Sequence, residues 1–243
     1  FLFPAFPEKY KYLDYPKIIN VENTIPTECF SNIKTLLRAT RHMSFSGVQD
    51  KFSAVLEDNG CLRFPHKEQG EKGNVLIKLS NKEHPFMVQN EVLFLSLYRD
   101  LFPERVPAVF LFPEKRVSKS GETTTNYHFG IERFDIPGKP LSFELNEELG
   151  YSSEQKYDLT VEQLFDLMQE KLPKNDFCAF VETVLWSFLV QNSDMHLKNI
   201  SLTKTPKSTS SDSFTYGFAP TYDILNTAVY GYTDLLALPL YGA

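Results

Sequence analysis

A single lysine constrains the fold of this chain more than any other residue. In Val75-Leu76-Ile77-Lys78-Leu79 an apolar run with strand character is interrupted by one cation, and an ammonium almost never lies in such a run without an anionic partner. That partner has to come from a neighbouring element or from outside the chain. Val88, Glu91, Leu95, Tyr98 and Phe102 recur at helical spacing over 86–102, and Pro103 ends the segment. Glu91 interrupts this stripe as Lys78 interrupts the strand, so a Lys78 to Glu91 ion pair is geometrically natural. The alternative is that Lys78 snorkels at a sheet edge while Glu91 faces water.

Around this pair the pattern predicts strands at 52–56, 74–79, 108–112 and 127–134, with a turn at Asp58-Asn59-Gly60 and a loop from Gly70 to Gly73. Pro137-Gly138-Lys139-Pro140 marks a break, after which 161–171 and 177–190 are strongly helical and 199–202 and 214–218 read as strands. The Ser/Thr/Lys stretch 203–213 reads as a hairpin tip. A Pro-rich opening and a short helix over 26–37, with Thr27 as its cap, form an N-terminal arm. The expected organisation is an arm (1–43), a smaller lobe (44–136) and a larger lobe (137–243).

At 243 residues and 42 % hydrophobic content the chain can bury a large core. A net charge of -6 argues against direct nucleic-acid binding or an anionic membrane surface. Cys29, Cys61 and Cys178 are widely spaced, which suits reduced, buried thiols of a cytoplasmic protein better than disulfides or a zinc site. Neither a signal peptide nor an apolar run long enough for a membrane span is evident.

Chemistry concentrates in Gln191-Asn192-Ser193-Asp194-Met195-His196-Leu197-Lys198-Asn199 and, downstream, Tyr222-Asp223. Phosphoryl transfer from ATP asks a protein for positioning and charge neutralisation more than for covalent chemistry. Asn199 and Asp223 offer the hard oxygens that Mg²⁺ takes alongside nucleotide phosphates, which leaves Asp194 as the catalytic base. The same residues could simply cap and turn the chain after a helix. ATP phosphates would also give Lys78 a second anionic partner. Upstream, the small residues of Ser44-Phe45-Ser46-Gly47-Val48-Gln49-Asp50-Lys51 would let backbone N–H groups approach phosphate oxygens, although an ordinary turn has the same composition. Hydroxyls at Ser44 and Ser46 beside a γ-phosphate could themselves be phosphorylated.

In order, Ser44 to Lys51, Ile77-Lys78-Leu79, Ile131-Glu132-Arg133-Phe134-Asp135, Asn192 to Asn199 and Thr221-Tyr222-Asp223-Ile224-Leu225 make the chain resemble the HipA family of serine/threonine kinases, toxins of bacterial toxin-antitoxin modules. The resemblance implies an α+β, two-lobed protein-kinase-like fold that binds ATP and Mg²⁺. It implies that Ser46, Gly47, Val48, Gln49, Asp50 and Lys51 line the phosphates and that Lys78 contacts them. Glu132 and Phe134 would belong to the interlobe strand that holds adenine, and His196 and Tyr222 would lie against the nucleotide. Asp194 would be the base, and Asn199 and Asp223 the metal ligands. Ser44 matches the autophosphorylated serine, with Ser46 a second candidate, and the Lys78 to Glu91 pair resembles the strand-lysine to helix-glutamate pair of protein kinases.

Full-length HipA proteins carry about a hundred residues before the serine loop, whereas 43 precede Ser44 here. The chain therefore looks like the short HipT type, whose missing subdomain is a separate small antitoxin subunit, with a DNA-binding antitoxin as third partner. The family's C-terminal helical region is largely missing after Leu240, as in a fragment of a longer protein. An aminoacyl-tRNA synthetase is the substrate that the family implies. A nucleotide-binding pseudokinase serving as a protein-binding module and a small-molecule kinase remain alternatives. If phosphate on the serine loop repels ATP, replacing both Ser44 and Ser46 with Asp weakens ATP binding measured by calorimetry; parental affinity would remove the switch.

Overall fold

The computed structural model describes residues 49, 51–58, 62–80, 83–118, 120–207 and 213–241. Strand β1 (Lys51–Leu56) buries Phe52 and Ala54 at alternate positions, the period-2 signature of a strand with one covered face. Strands β2 (Leu62–Arg63) and β3 (Val75–Lys78) flank it. After helix α1 (Met87–Leu101), β4 (Val109–Val117) and β5 (Thr123–Glu132) complete a five-stranded antiparallel sheet of order β2-β1-β3-β5-β4. Helix α1 packs on β4 and β5 through Val88, Leu95 and Tyr98 against Val109, Phe129 and Ile131.

A second sheet follows, with antiparallel order β6-β7-β8, formed by β6 (Leu141–Glu144), β7 (Ser201–Pro206) and β8 (Phe214–Phe218). The short helix α2 (Leu145–Glu148) continues from β6. Helix α3 (Val161–Lys171) opens with a reciprocal cap: Gln163 N–H donates to Thr160 Oγ1, and Thr160 N–H donates to Gln163 Oε1. Helix α4 (Lys174–Leu189) then presents Phe180 and Val184 to a core built with Leu164, Met168, Leu197, Ile200 and Leu202. The chain is thus mixed α/β, with antiparallel sheets and few helices.

Polar ties join the apolar layers. Thr183 Oγ1 on α4 lies 2.9 Å from the Tyr98 hydroxyl of α1 and 3.0 Å from Thr221 Oγ1, all within the core. Val190 and Ile224 insert into the same apolar cluster as α1. The segments after each of them are thereby held close to β3 and α1.

Several predicted boundaries move. The β4–β5 hairpin runs further toward its turn than 108–112 and 127–134, because ladder pairing continues through polar residues such as Thr123 and Thr124. Phe134 falls beyond β5. Asn199 ends a 3-10 turn over Leu197–Asn199 instead of starting a strand, and residues 203–206, predicted as loop, belong to β7, where 203 and 204 pair on both edges and 205 and 206 with β8. Strand β6 was not predicted. Cys178 is exposed on α4 rather than buried, while Cys29, Cys61 and the arm helix over 26–37 lie outside the described residues. Among the described residues no helix is long and apolar enough to cross a membrane.

Gly130 in β5 marks a tight point in the interior of the first sheet. A Cβ there would lie 2.4 Å from Phe112 Cε2 and 3.2 Å from Ile77 Cδ1, and both neighbours are fully buried. Gly130→Ala is expected to destabilise the protein by about 1–3 kcal/mol through overpacking, more than the ~0.4–1 kcal/mol that lost unfolded-state entropy returns. Urea unfolding measures this, and an unchanged midpoint would refute the tight packing.

Candidate functional site

Lys78 ends β3 with its Nζ buried between two carboxylates, 2.7 Å from Glu91 Oε1 of α1 and 2.6 Å from Asp223 Oδ1. Burial alone would lower its pKa; the Asp223 and Glu91 charges overcome this and hold it above the usual lysine range. Burial works against Asp223 too, but the Lys78 charge keeps that carboxyl low. Glu91, 2 % exposed, is pushed up by its burial and, less strongly, by the Asp223 charge, against the opposing pull of Lys78. Lys51 stands opposite Lys78 in the β1–β3 ladder, so its side chain leaves the same face of the sheet. It adds positive charge that is felt at both Glu91 and Asp223.

The segment carrying Asp194 emerges from the end of α4. Gln191 turns left-handed with φ 55°, Gln191 N–H bonds Phe188 O, and Asn192 N–H bonds Ser187 O at 2.8 Å. This is a Schellman-type stop built without glycine, so tertiary contacts must offset the backbone strain. They are present. Thr227 Oγ1 donates to Gln191 O at 2.8 Å and accepts from Ser193 N–H at 2.9 Å. The wholly buried Asn192 donates from Nδ2 to Asp223 O at 3.4 Å and accepts the Asp194 N–H at 3.3 Å. One amide thus spans the backbones of both acidic residues. Asp223 itself has φ 58°, a conformation that aspartate tolerates better than most side chains.

Asn199 Nδ2 donates to Asp194 O at 2.7 Å, which orients the amide and leaves its oxygen as the remaining ligand atom. The partly exposed Asp223 carboxylate offers further hard oxygens, and donors of this type suit Mg²⁺ completed by phosphates and water. No group of three or more His, Cys, Asp or Glu side chains forms a metal cage among the described residues. Asp194 is half exposed, yet burial and then the Asp223 charge push its carboxyl up to about 6. His196 Nε2 lies 3.5 Å from Asp194 Oδ1. Burial, followed by the Lys156 charge, pushes the imidazole down to about 4, so it is neutral at pH 7, and its buried Nδ1 has no hydrogen-bond partner.

The Tyr222 hydroxyl lies 2.7 Å from Ser201 Oγ and donates to Lys198 O at 3.1 Å; its ring packs 5.7 Å from that of Phe134. Glu132 lies opposite Val75 at the end of β5, and its N–H donates to Ala108 O. Gln49 donates from Nε2 to Leu79 O, next to Lys78. Ser44, Ser46, Gly47, Val48 and Asp50 lie outside the described residues. Sequence reasoning passed over Asn192 and Thr227 as site-building groups. The signal was there only as turn-forming residues beside Asp194 and Asp223, and such residues usually cap or turn a chain.

A strand lysine held between a helix glutamate and a loop aspartate is the centre of the site. Residues 43–243 match the HipA-like C-terminal domain, and the chain belongs to that family. Among curated relatives it is 29 % identical over 195 residues to the candidate kinase Y4dM of Sinorhizobium fredii, covering 77 % of this chain and 46 % of that protein. It is 27 % identical over 248 residues to a candidate kinase of Haemophilus influenzae, covering 94 % of this chain and 66 % of that one. The chain thus spans about half to two thirds of the relatives' lengths.

Lys78→Met strands two carboxylates without their cation. We expect a loss of about 3 kcal/mol in urea unfolding, partly restored by adding Glu91→Gln, which removes the more deeply buried charge. Parental stability of Lys78→Met would show that the ammonium does not balance these acids.

Proposed function

We propose that this chain is the catalytic region of an ATP-dependent serine/threonine protein kinase with a two-lobed, protein-kinase-like arrangement. The observation that carries the reading is the Lys78 ammonium, bonded at once to Glu91 and Asp223. A buried strand lysine paired with a helix glutamate, beside a potential metal ligand, is an arrangement that protein kinases use for phosphoryl transfer. The kinase names of the relatives support it.

In this reading Lys78 and Lys51, with the Ser44 to Asp50 loop, bind the nucleotide phosphates, and Phe134 with Tyr222 lines the base. Asn199 and Asp223 would hold Mg²⁺, which would supply neutralisation of phosphate charge. Asp194 accepts the proton of a substrate Ser or Thr hydroxyl as that oxygen bonds the γ-phosphorus and the bond to the ADP oxygen breaks. A base with its pKa near 6 is largely ionised at neutral pH, as that role needs. The neutral His196 can lie beside the nucleotide without competing for this proton.

The finer assignment follows the family. We propose a cytoplasmic toxin of a toxin-antitoxin module, most like the HipT type, which autophosphorylates on Ser44 or Ser46 and acts on a host protein such as an aminoacyl-tRNA synthetase. Its partners would be a small antitoxin subunit and a DNA-binding antitoxin.

With γ-labelled ATP and cell lysate, label is expected on protein Ser or Thr. Asp194→Asn should lower transfer at least about 100-fold while ATP binding persists. Label on a small molecule, or ATP binding without any transfer by the parent protein, would refute the protein-kinase reading.

A further inference from the structure

Asn90 adjoins Glu91 on α1 and belongs to no part of the site described so far. Its side-chain amide grips the backbone of Asn226 on both edges: Nδ2 donates to Asn226 O at 2.8 Å, and Asn226 N–H donates to Oδ1 at 2.9 Å. The pairing imitates one rung of a β ladder with a side chain in place of a strand. Asn226 lies three residues after Asp223, and its own Oδ1 accepts from Val229 N–H at 3.1 Å. The Tyr230 hydroxyl sits 3.3 Å from Asn90 Nδ2 and donates to Pro85 O at 3.4 Å. No side chain caps the start of α1, where Phe86 has φ 63°. The N-terminal half of this helix is therefore held in polar terms by two adjacent ties, Glu91 to Lys78 to Asp223 and Asn90 to Asn226.

Consecutive helical residues point about 100° apart, so the two ties leave α1 in different directions and end on the same downstream segment. Apolar packing and the Tyr98–Thr183–Thr221 chain hold the rest of α1, and a single tie would leave the fine orientation of its N-terminal half to the apolar contacts. Two close a loop in which that half cannot turn without straining one of them.

We propose that Asn90 is a positioning residue that locks α1 to the segment bearing Asp223, so that Glu91 and Asp223 share the Lys78 ammonium while Asp223 presents its carboxylate to a magnesium-nucleotide. The inference rests on the kinase reading above, and Asn90 touches no reacting atom.

The test is a Mg²⁺ titration of fluorescent ATP-analogue binding to the full chain, with amide hydrogen exchange at Asn226 read on the nucleotide-free protein. Losing two hydrogen bonds of ordinary net strength, Asn90→Ala is expected to exchange faster at Asn226 and to need about tenfold more Mg²⁺ for half-binding. Tyr230→Phe, which leaves the Asn226 grip intact, should keep the parental requirement. Should Asn90→Ala not fold, the isosteric Asn90→Asp, which sets an acceptor against Asn226 O, should shift in the same direction. Faster exchange with a parental Mg²⁺ requirement would make the grip merely structural and overturn the inference alone. A parent chain that binds no magnesium-nucleotide would overturn the kinase reading, and this inference with it.

Discussion

The structure depends on one ammonium shared by two carboxylates. Lys78 sits at 2.6–2.7 Å from Glu91 and Asp223, and the three residues come from a strand, a helix and a segment 145 positions downstream. Taking such charges out of water is costly, and their mutual attraction repays the cost only with close geometry. The first sheet must therefore deliver Lys78 to one place, α1 must lie against β4 and β5 at one height, and the 221–227 segment must return to them. The Val88, Leu95 and Tyr98 stripe does the second; Ile224, inserted into the same apolar cluster, does the third.

Polar residues then set the fine geometry that apolar packing leaves loose. Tyr98, Thr183 and Thr221 form a buried hydroxyl chain between α1, α4 and the start of the Asp223 segment. Asn192 and Thr227 tie the Asp194 segment to that same stretch, and two left-handed residues, Gln191 and Asp223, are held where they meet. Buried polar networks of this kind are favourable only when their members are paired, which is why they specify position more sharply than a hydrophobic contact. The proposed phosphotransfer chemistry uses that sharpness, since a metal ligand and a base must be held within a fraction of an ångström.

Much of the first sheet and the Lys78 to Glu91 pair was legible in the sequence for one reason. A charge that breaks an apolar period stands out, and both residues do so. The β4–β5 hairpin was read too short because its outer rungs carry polar residues, and backbone pairing does not depend on hydrophobicity. Strand β6 was missed altogether: Leu141 is exposed and the strand has four residues, too few for alternation to register. Cys178 was misread because a thiol's usual burial says nothing about which face of a helix it occupies.

The amino-acid sequence alone determined the helical and strand character of the longest elements and the demand of Lys78 for an anion, because these follow from local periodicity and residue type. Only the tertiary structure decided that Asp223 joins Glu91 on that lysine, that Asn192 spans two acidic backbones and that Asn90 grips Asn226. Such pairings join residues 31 to 145 positions apart, and no local preference encodes a partner that the chain meets only after its cores have formed.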